Sequence, residues 1–310
     1  LGGAAHAKAA RPVKEKVKTP RIVWSGGGIG VVVVLLAGGY IWWSGRAARW
    51  YEKAETLQAS GQTIEALEYY QKVADASPDF PDIHQKIGLS LVTLDRPIPA
   101  RQALERQIGL NAKDPVARYE LGRLFILQRL WSQAAVQFTK AVEAKPDHRD
   151  ALWGLADAYA KQDMIEQAVT ALMQLVELAP DYPKAAETLG NLCLAHGRPD
   201  QAQQALRRAA EHDPRNADVR EKLGDISFRA GNLEEASNLY RDALAIDPNR
   251  VSARLRSAQA LMGLELWEAA QGELRWAARQ HPSDATPYAL LAQSHLGLGN
   301  IGGALEAAKK

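Results

Sequence analysis

The chain has one cysteine, Cys193, in 310 residues. That excludes an internal disulfide framework and any thiolate metal cluster. Histidines are few too, at seven. His6, His84, His148, His196, His212, His281 and His295 never occur as a pair four apart, the spacing that puts two ring nitrogens on one helical face. No basic stripe interleaved with aromatics is present, so a nucleic-acid partner is not expected. Gly26-Gly27-Gly28-Ile29-Gly30 lacks the Lys-Ser or Lys-Thr that a phosphate loop requires. Neither a catalytic constellation nor a cofactor site is legible, and the chain reads as a non-enzyme.

Charge is nearly balanced at +2, but unevenly spread. Lys8, Arg11, Lys14, Lys16, Lys18 and Arg21 stand against Glu15 in residues 1–43, which leaves the remainder mildly acidic. Residues 1–21 read as a basic, disordered cytoplasmic tail, too poor in apolar residues to offset ordering. Residues 22–43 carry no charge at all. As a helix they would extend about 33 Å, enough for a hydrocarbon core of about 30 Å. Trp24 at one end and Tyr40, Trp42 and Trp43 at the other suit the two interfaces.

A retained span is therefore expected over 22–43. A cleaved signal peptide would have a shorter apolar region, and no cysteine lies near the run for a lipid anchor. Basic residues before the span outnumber Arg46, Arg49 and Lys53 after it. The positive-inside rule then predicts a single-pass bacterial inner-membrane protein, N-terminus cytoplasmic and the domain from 44 to 310 periplasmic. Gly26 and Gly30 would form a small-xxx-small face for another transmembrane helix, so integral membrane proteins are candidate partners.

Beyond residue 45 the composition favours helix, and one period organises it. Ala66, Ala100, Ala134, Ala168, Ala202, Ala236, Ala270 and Ala304 stand 34 residues apart. Twelve residues later come Pro78, Pro146, Pro180, Pro214, Pro248 and Pro282, with Ala112 in the second repeat. Twelve residues earlier the position is always small: Ala54, Gly88, Gly122, Ala156, Gly190, Gly224, Ala258 and Ala292. Four residues after the alanine it is bulky in the first seven repeats: Tyr70, Leu104, Phe138, Leu172, Leu206, Tyr240 and Leu274.

On these markers the chain resembles the tetratricopeptide-repeat (TPR) family, with repeats of about 47–80, 81–114, 115–148, 149–182, 183–216, 217–250, 251–284 and a partial 285–310. The resemblance implies an all-α, right-handed superhelix of antiparallel helix pairs, here preceded by a single transmembrane helix. Small residues such as Gly122 and Ala134 are expected to let facing helices approach, and Phe138 and Leu121 to fill the space between pairs. Pro146 and its equivalents end each second helix. Gly61, Gly197 and Gly231 supply the positive φ that ends each first helix. The second repeat, with Asp95 in place of that glycine and prolines at 97 and 99, is expected to be locally distorted. The eighth is expected either to continue past residue 310 or to fray. Cys193 falls in a core slot.

The resemblance also implies a concave groove lined by first helices. Tyr119, Arg123 and Ile126 from repeat three, Trp153 and Asp157 from four, Asn191 from five, and Asp225 and Phe228 from six are the candidate contacts for a bound protein. Their side chains are expected to be unnecessary for closing the helix pairs. Asp150, Asp157, Asp218, Glu221 and Asp225 would favour a basic or neutral partner. A clamp for a C-terminal carboxylate is disfavoured: Asn191 fits it, but Glu187, Glu221 and Asp225 do not. Proteins of this plan hold partners in cytochrome c maturation, pilus or secretion assembly and polysaccharide export. The alternatives are a non-catalytic accessory subunit of a membrane enzyme complex and a cytoplasmic-facing adaptor for envelope biogenesis.

Overall fold

The computed structural model describes residues 45–182 and 184–310. The expected span at 22–43, with Gly26 and Gly30, lies outside them. No helix among the described residues is long and apolar enough to cross a membrane. The described chain is helices and short turns, divided into two compact bodies, one ending at Phe80 and one running from Pro81 to Lys310.

In the first body α1 (residues 45–59) pairs with α2 (Thr63–Ala76). Tyr51 brings its ring to 5.9 Å from Tyr70 and 5.0 Å from Phe80. Tyr70 is fully buried, and its hydroxyl donates to Glu55.

In the second body the first helices of successive repeats are α3 (Ile83–Thr93), α5 (Pro115–Leu127), α7 (Arg149–Ala160), α9 (Ala185–Ala195), α11 (Ala217–Arg229), α13 (Val251–Gly263) and α15 (Ala285–Gly297). The second helices are α4 (Pro97–Leu110), α6 (Trp131–Ala144), α8 (Ile165–Leu178), α10 (Pro199–His212), α12 (Leu233–Ile246), α14 (Trp267–Gln280) and α16 (Ile301–Ala308). Each second helix packs on its own first helix and on the first helix that follows. This is an all-α, right-handed solenoid of helix-turn-helix pairs. An isolated pair leaves an apolar face open, so stacking supplies the stability.

The small positions let the facing backbones approach, as expected: a Cβ on Gly88 or Gly190 would stand 3.6 or 3.4 Å from the carbonyl oxygen of Ala100 or Ala202. A Cβ on Gly122 would come within 2.6 Å of the Phe138 ring, and one on Gly190 or Gly224 would meet Leu206 or Tyr240. The missing side chain also makes room for the bulky residue of the same pair. Phe138 is held from both sides, since a Cβ on Gly154 of the next repeat would meet the same ring at 2.7 Å.

The second repeat is not distorted at its turn. Asp95 adopts φ +54°, the left-handed geometry that Gly61, Gly197, Gly231 and Gly299 adopt at the equivalent positions. Arg129, Asp163 and Glu265 do the same, so the fold imposes this conformation whether or not glycine is present. Losing the terminal proline does not lengthen α4, which ends at Leu110 with Asn111 as cap. What sets the second and fifth repeats apart is a short first helix of 11 residues, entered from Asp82 and Lys184 at positive φ. The last helix, α16, forms and docks: Asn300 caps Gly303, and Ala304 and Ala307 are buried.

Candidate functional site

In repeats one to six, first-helix side chains obey a pairing rule that links the start of the repeat to its end. Counting from the repeat starts given above, position 5 meets position 34. Tyr51 stacks near Phe80, Gln85 Nε2 donates to Asp114 at 2.9 Å, and Tyr119 lies 4.8 Å from the His148 ring. Trp153 lies 5.8 Å from Tyr182, Asn216 Nδ2 donates to Glu187 at 3.1 Å, and Arg250 Nε donates to Glu221 at 2.7 Å. The chemistry changes from ring pairs to amide–carboxylate to an ion pair, but each pairing joins the first helix to the loop that closes the repeat. Position 2 adds to it: Tyr182 donates to Asp150 at 2.8 Å and Arg250 to Asp218 at 2.7 Å.

A second rule joins positions 9 and 24. Where position 24 is tyrosine, its buried hydroxyl needs an acceptor, and position 9 supplies a carboxylate. Tyr240 donates to Asp225 at 2.7 Å as Tyr70 does to Glu55. Burial first, then these hydrogen bonds, push both phenols well above their usual range. Where position 24 is apolar, position 9 is released from that duty, as at Arg123, Asp157 and Asn191.

Three family models, each described as tetratricopeptide repeat, match residues 47–80, 126–192 with 227–294, and 187–251, together more than half of the chain. The chain belongs to the tetratricopeptide-repeat family. No curated protein matches it significantly. Among solved structures it is similar to YrrB, described as a TPR protein with an unusual peptide-binding site. That match is 21% identical with a TM-score of 0.52, over 59% of this chain and 95% of the other. It is also similar to the structure of Naa15/Naa10 bound to HypK-THB, at 14% identity and a TM-score of 0.60, over 80% of this chain. There it spans 39% of the other chain's length. At these identities the likeness is one of fold.

Within this TPR array the expected contacts separate into two stretches. Tyr119 and Trp153 are half-buried, and contrary to expectation they help close their repeats, through His148 and Tyr182. His148 also caps α7, its Nδ1 accepting from Ala151 N at 3.3 Å. Burial, with Lys145 nearby, lowers its pKa, which keeps the ring neutral and able to accept. Arg123 bonds Glu120 at 2.9 Å and lies over Tyr119, with its guanidinium half exposed. Ile126 is half-buried beside them on α5. The Asp157 carboxylate and the Asn191 amide make no side-chain hydrogen bond or ion pair among the described residues, and both are partly exposed.

Repeats six and seven differ. Asp218 is bonded by Lys222 at 2.5 Å and by Arg250, and Glu221 by Arg250. Asp225 is held by Tyr240, with Arg256 3.7 Å away. Phe228 packs on the cluster of Ala236, Tyr240 and Ala260. The acids expected to attract a basic partner here are thus neutralised internally, leaving Asp157 as the carboxylate with no such tie. Sequence reasoning missed His148, Tyr182 and Arg250, the loop residues that pair with position 5 of the first helix. Their signal was the 29-residue spacing to position 5 and the chemical match at each end.

Cys193 is fully buried and desolvation raises its pKa, so it is a poor nucleophile. Among the described residues no group of three His, Cys, Asp or Glu is placed to hold a metal ion. The described residues form a TPR array.

Proposed function

We propose that this protein is a membrane-anchored scaffold of the bacterial cell envelope, holding a partner protein against the first-helix face of repeats three to five. The observation that carries the reading is the Trp153–Tyr182 ring pair on the same face of α7 as Asp157, whose carboxylate has no tie. Trp153 and Asp157 are four residues apart and so are neighbours on the helix surface. A rigid ring braced from below, next to an acceptor and the Asn191 amide, suits an extended segment with an apolar side chain and a donor beside it. The internally neutralised stretch around Arg250 argues for placing the partner away from repeats six and seven.

Residues 22–43 supply the anchor in this reading, with Gly26 and Gly30 facing a second transmembrane helix and the repeats on the periplasmic side. Assembly of a cytochrome c maturation, pilus, secretion or polysaccharide-export complex is the role this plan fits. Two measurements test it. Truncating Trp153 to alanine, with partner captured on the full chain by cross-linking in membranes, should weaken capture roughly thirtyfold, about 2 kcal/mol, at an unchanged helical signal. Equal capture by parent and variant would move the partner elsewhere. A reporter enzyme that is active only in the periplasm, fused after Lys310, should be active; activity only of a cytoplasmic reporter would reverse the topology.

A further inference from the structure

Position 34 of the repeats does two separate jobs. Phe80 and Tyr182 bring a ring against the aromatic side chain at position 5, but neither caps the helix that follows. Asp114, Asn216 and Asp284 do cap it, accepting from backbone N–H groups of its first turn at 2.9–3.1 Å, but have no ring to stack. His148 does both. Its ring lies 4.8 Å from Tyr119, and its Nδ1 accepts from Ala151 N at 3.3 Å. Histidine is the side chain that combines an aromatic ring with an acceptor nitrogen. That nitrogen takes a proton near neutral pH, whereas an amide or an ordinary carboxylate keeps its acceptor oxygens above about pH 5.

The groups around the ring decide which form the fold accepts. Burial first, then Lys145 at the end of α6, disfavour the imidazolium; they outweigh Asp150 on α7 and Asp147 in the loop. Asp150 is engaged by the Tyr182 hydroxyl, and Arg149 stands 3.9 Å from Asp181. On α5, Arg123 and Glu120 bond each other beside Tyr119. Once protonated, Nδ1 would turn an N–H and a positive charge towards the N-terminus of α7, where the helix dipole already concentrates positive charge. The Ala151 N–H would be left with the His148 carbonyl alone, 3.1 Å away.

We propose that His148 is an acid-sensitive latch: protonation frees its ring from the end of α7 and from Tyr119, and loosens the start of α7, which carries Asp150 and Trp153. Because the fold holds the neutral ring, the latch contributes fully above about pH 6.5, the ordinary histidine value. Its contribution is lost as pH falls through the lower folded value. Each repeat touches only its neighbours, so the loosening centres on repeats three and four. The helix α11, capped by the Asn216 amide, keeps its end at the same pH. The latch depends on the fold alone and not on where a partner binds.

The test is hydrogen exchange of the full chain in detergent between about pH 7.5 and about pH 5, with rates corrected for the intrinsic effect of pH on amide exchange. Opening of α7 should rise about fivefold on acidification, the size of losing one helix cap, while α11 changes little. The rise should have its midpoint below about pH 6.5. In His148→Asn, which keeps a cap acceptor of the kind that Asn216 supplies, the rise should disappear whatever the variant's baseline. Should that variant fail to fold, His148→Asp, the cap of repeat two, takes its place with the same expectation. No rise in the parent, an equal rise in α11, a midpoint above about pH 6.5, or a rise that persists in the variant would overturn the proposal.

Discussion

Replacing Phe138 by alanine should destabilise α5–α7 by about 3–5 kcal/mol, the range for emptying a large aromatic site in a core. Phe138 is 1% exposed, and its ring fills the space left by the absent side chains of Gly122 and Gly154. Neither glycine can reach in to close the cavity, so relaxation is limited and the cost should fall towards the upper end. The ring also lies 5.9 Å from Tyr119, so its loss unseats one side of the Tyr119–His148 pair. Because each repeat touches only its neighbours, the damage should be local. Hydrogen exchange should show α5, α6 and α7 opening far more readily while α13–α16 keep their protection. A loss below about 1 kcal/mol, or uniform loosening along the array, would contradict this packing account.

Arg250→Met should cost about 2–3 kcal/mol, for a different reason. Arg250 bonds two carboxylates in adjacent turns of α11, and Glu221 is 9% exposed. Removing the guanidinium leaves Glu221 charged, poorly hydrated and unpaired, which is the expensive way to break a buried pair. Adding Glu221→Gln should therefore recover part of the loss, a non-additivity that a double-mutant cycle reads directly. The pH dependence has a definite sign. Hydrogen bonding from Lys222, and then from Arg250, holds the Asp218 carboxyl below its usual range. A folded pKa below the unfolded one, about 3.9, stabilises the fold fully above that pH and is lost as pH falls through the folded value. Urea midpoints of parent and Arg250→Met should thus differ most near neutrality and converge below about pH 4. A constant gap down to pH 2 would assign the loss to packing of the arginine stem.

The repeat markers were legible because they act locally. Pro146 ends α6 by lacking an N–H, and a small residue at Gly122 is needed wherever a bulky one follows sixteen residues later. Reading Asp95 as a fault was misleading for the opposite reason: the helices on either side impose a positive φ there, and Asp95, Arg129, Asp163 and Glu265 all accept it. The first-helix positions were legible in the sequence, but not which of their side chains are left available. Asp157 and Asp225 occupy the same slot, yet Asp225 is claimed by the Tyr240 hydroxyl and Asp157 by nothing comparable.

By itself, then, the 34-residue spacing determined the helix pairs and their order, since it repeats the residues that end each helix and the small and bulky positions that fit one helix of a pair to the other. Which groups on the first helices remain free was decided only by the tertiary structure. Tyr182 reaches back 29 residues to Trp153, and Arg250 reaches back 29 to Glu221. A polar or aromatic group's availability depends on the partner that desolvation forces it to find, and stacking alone brings that partner within reach.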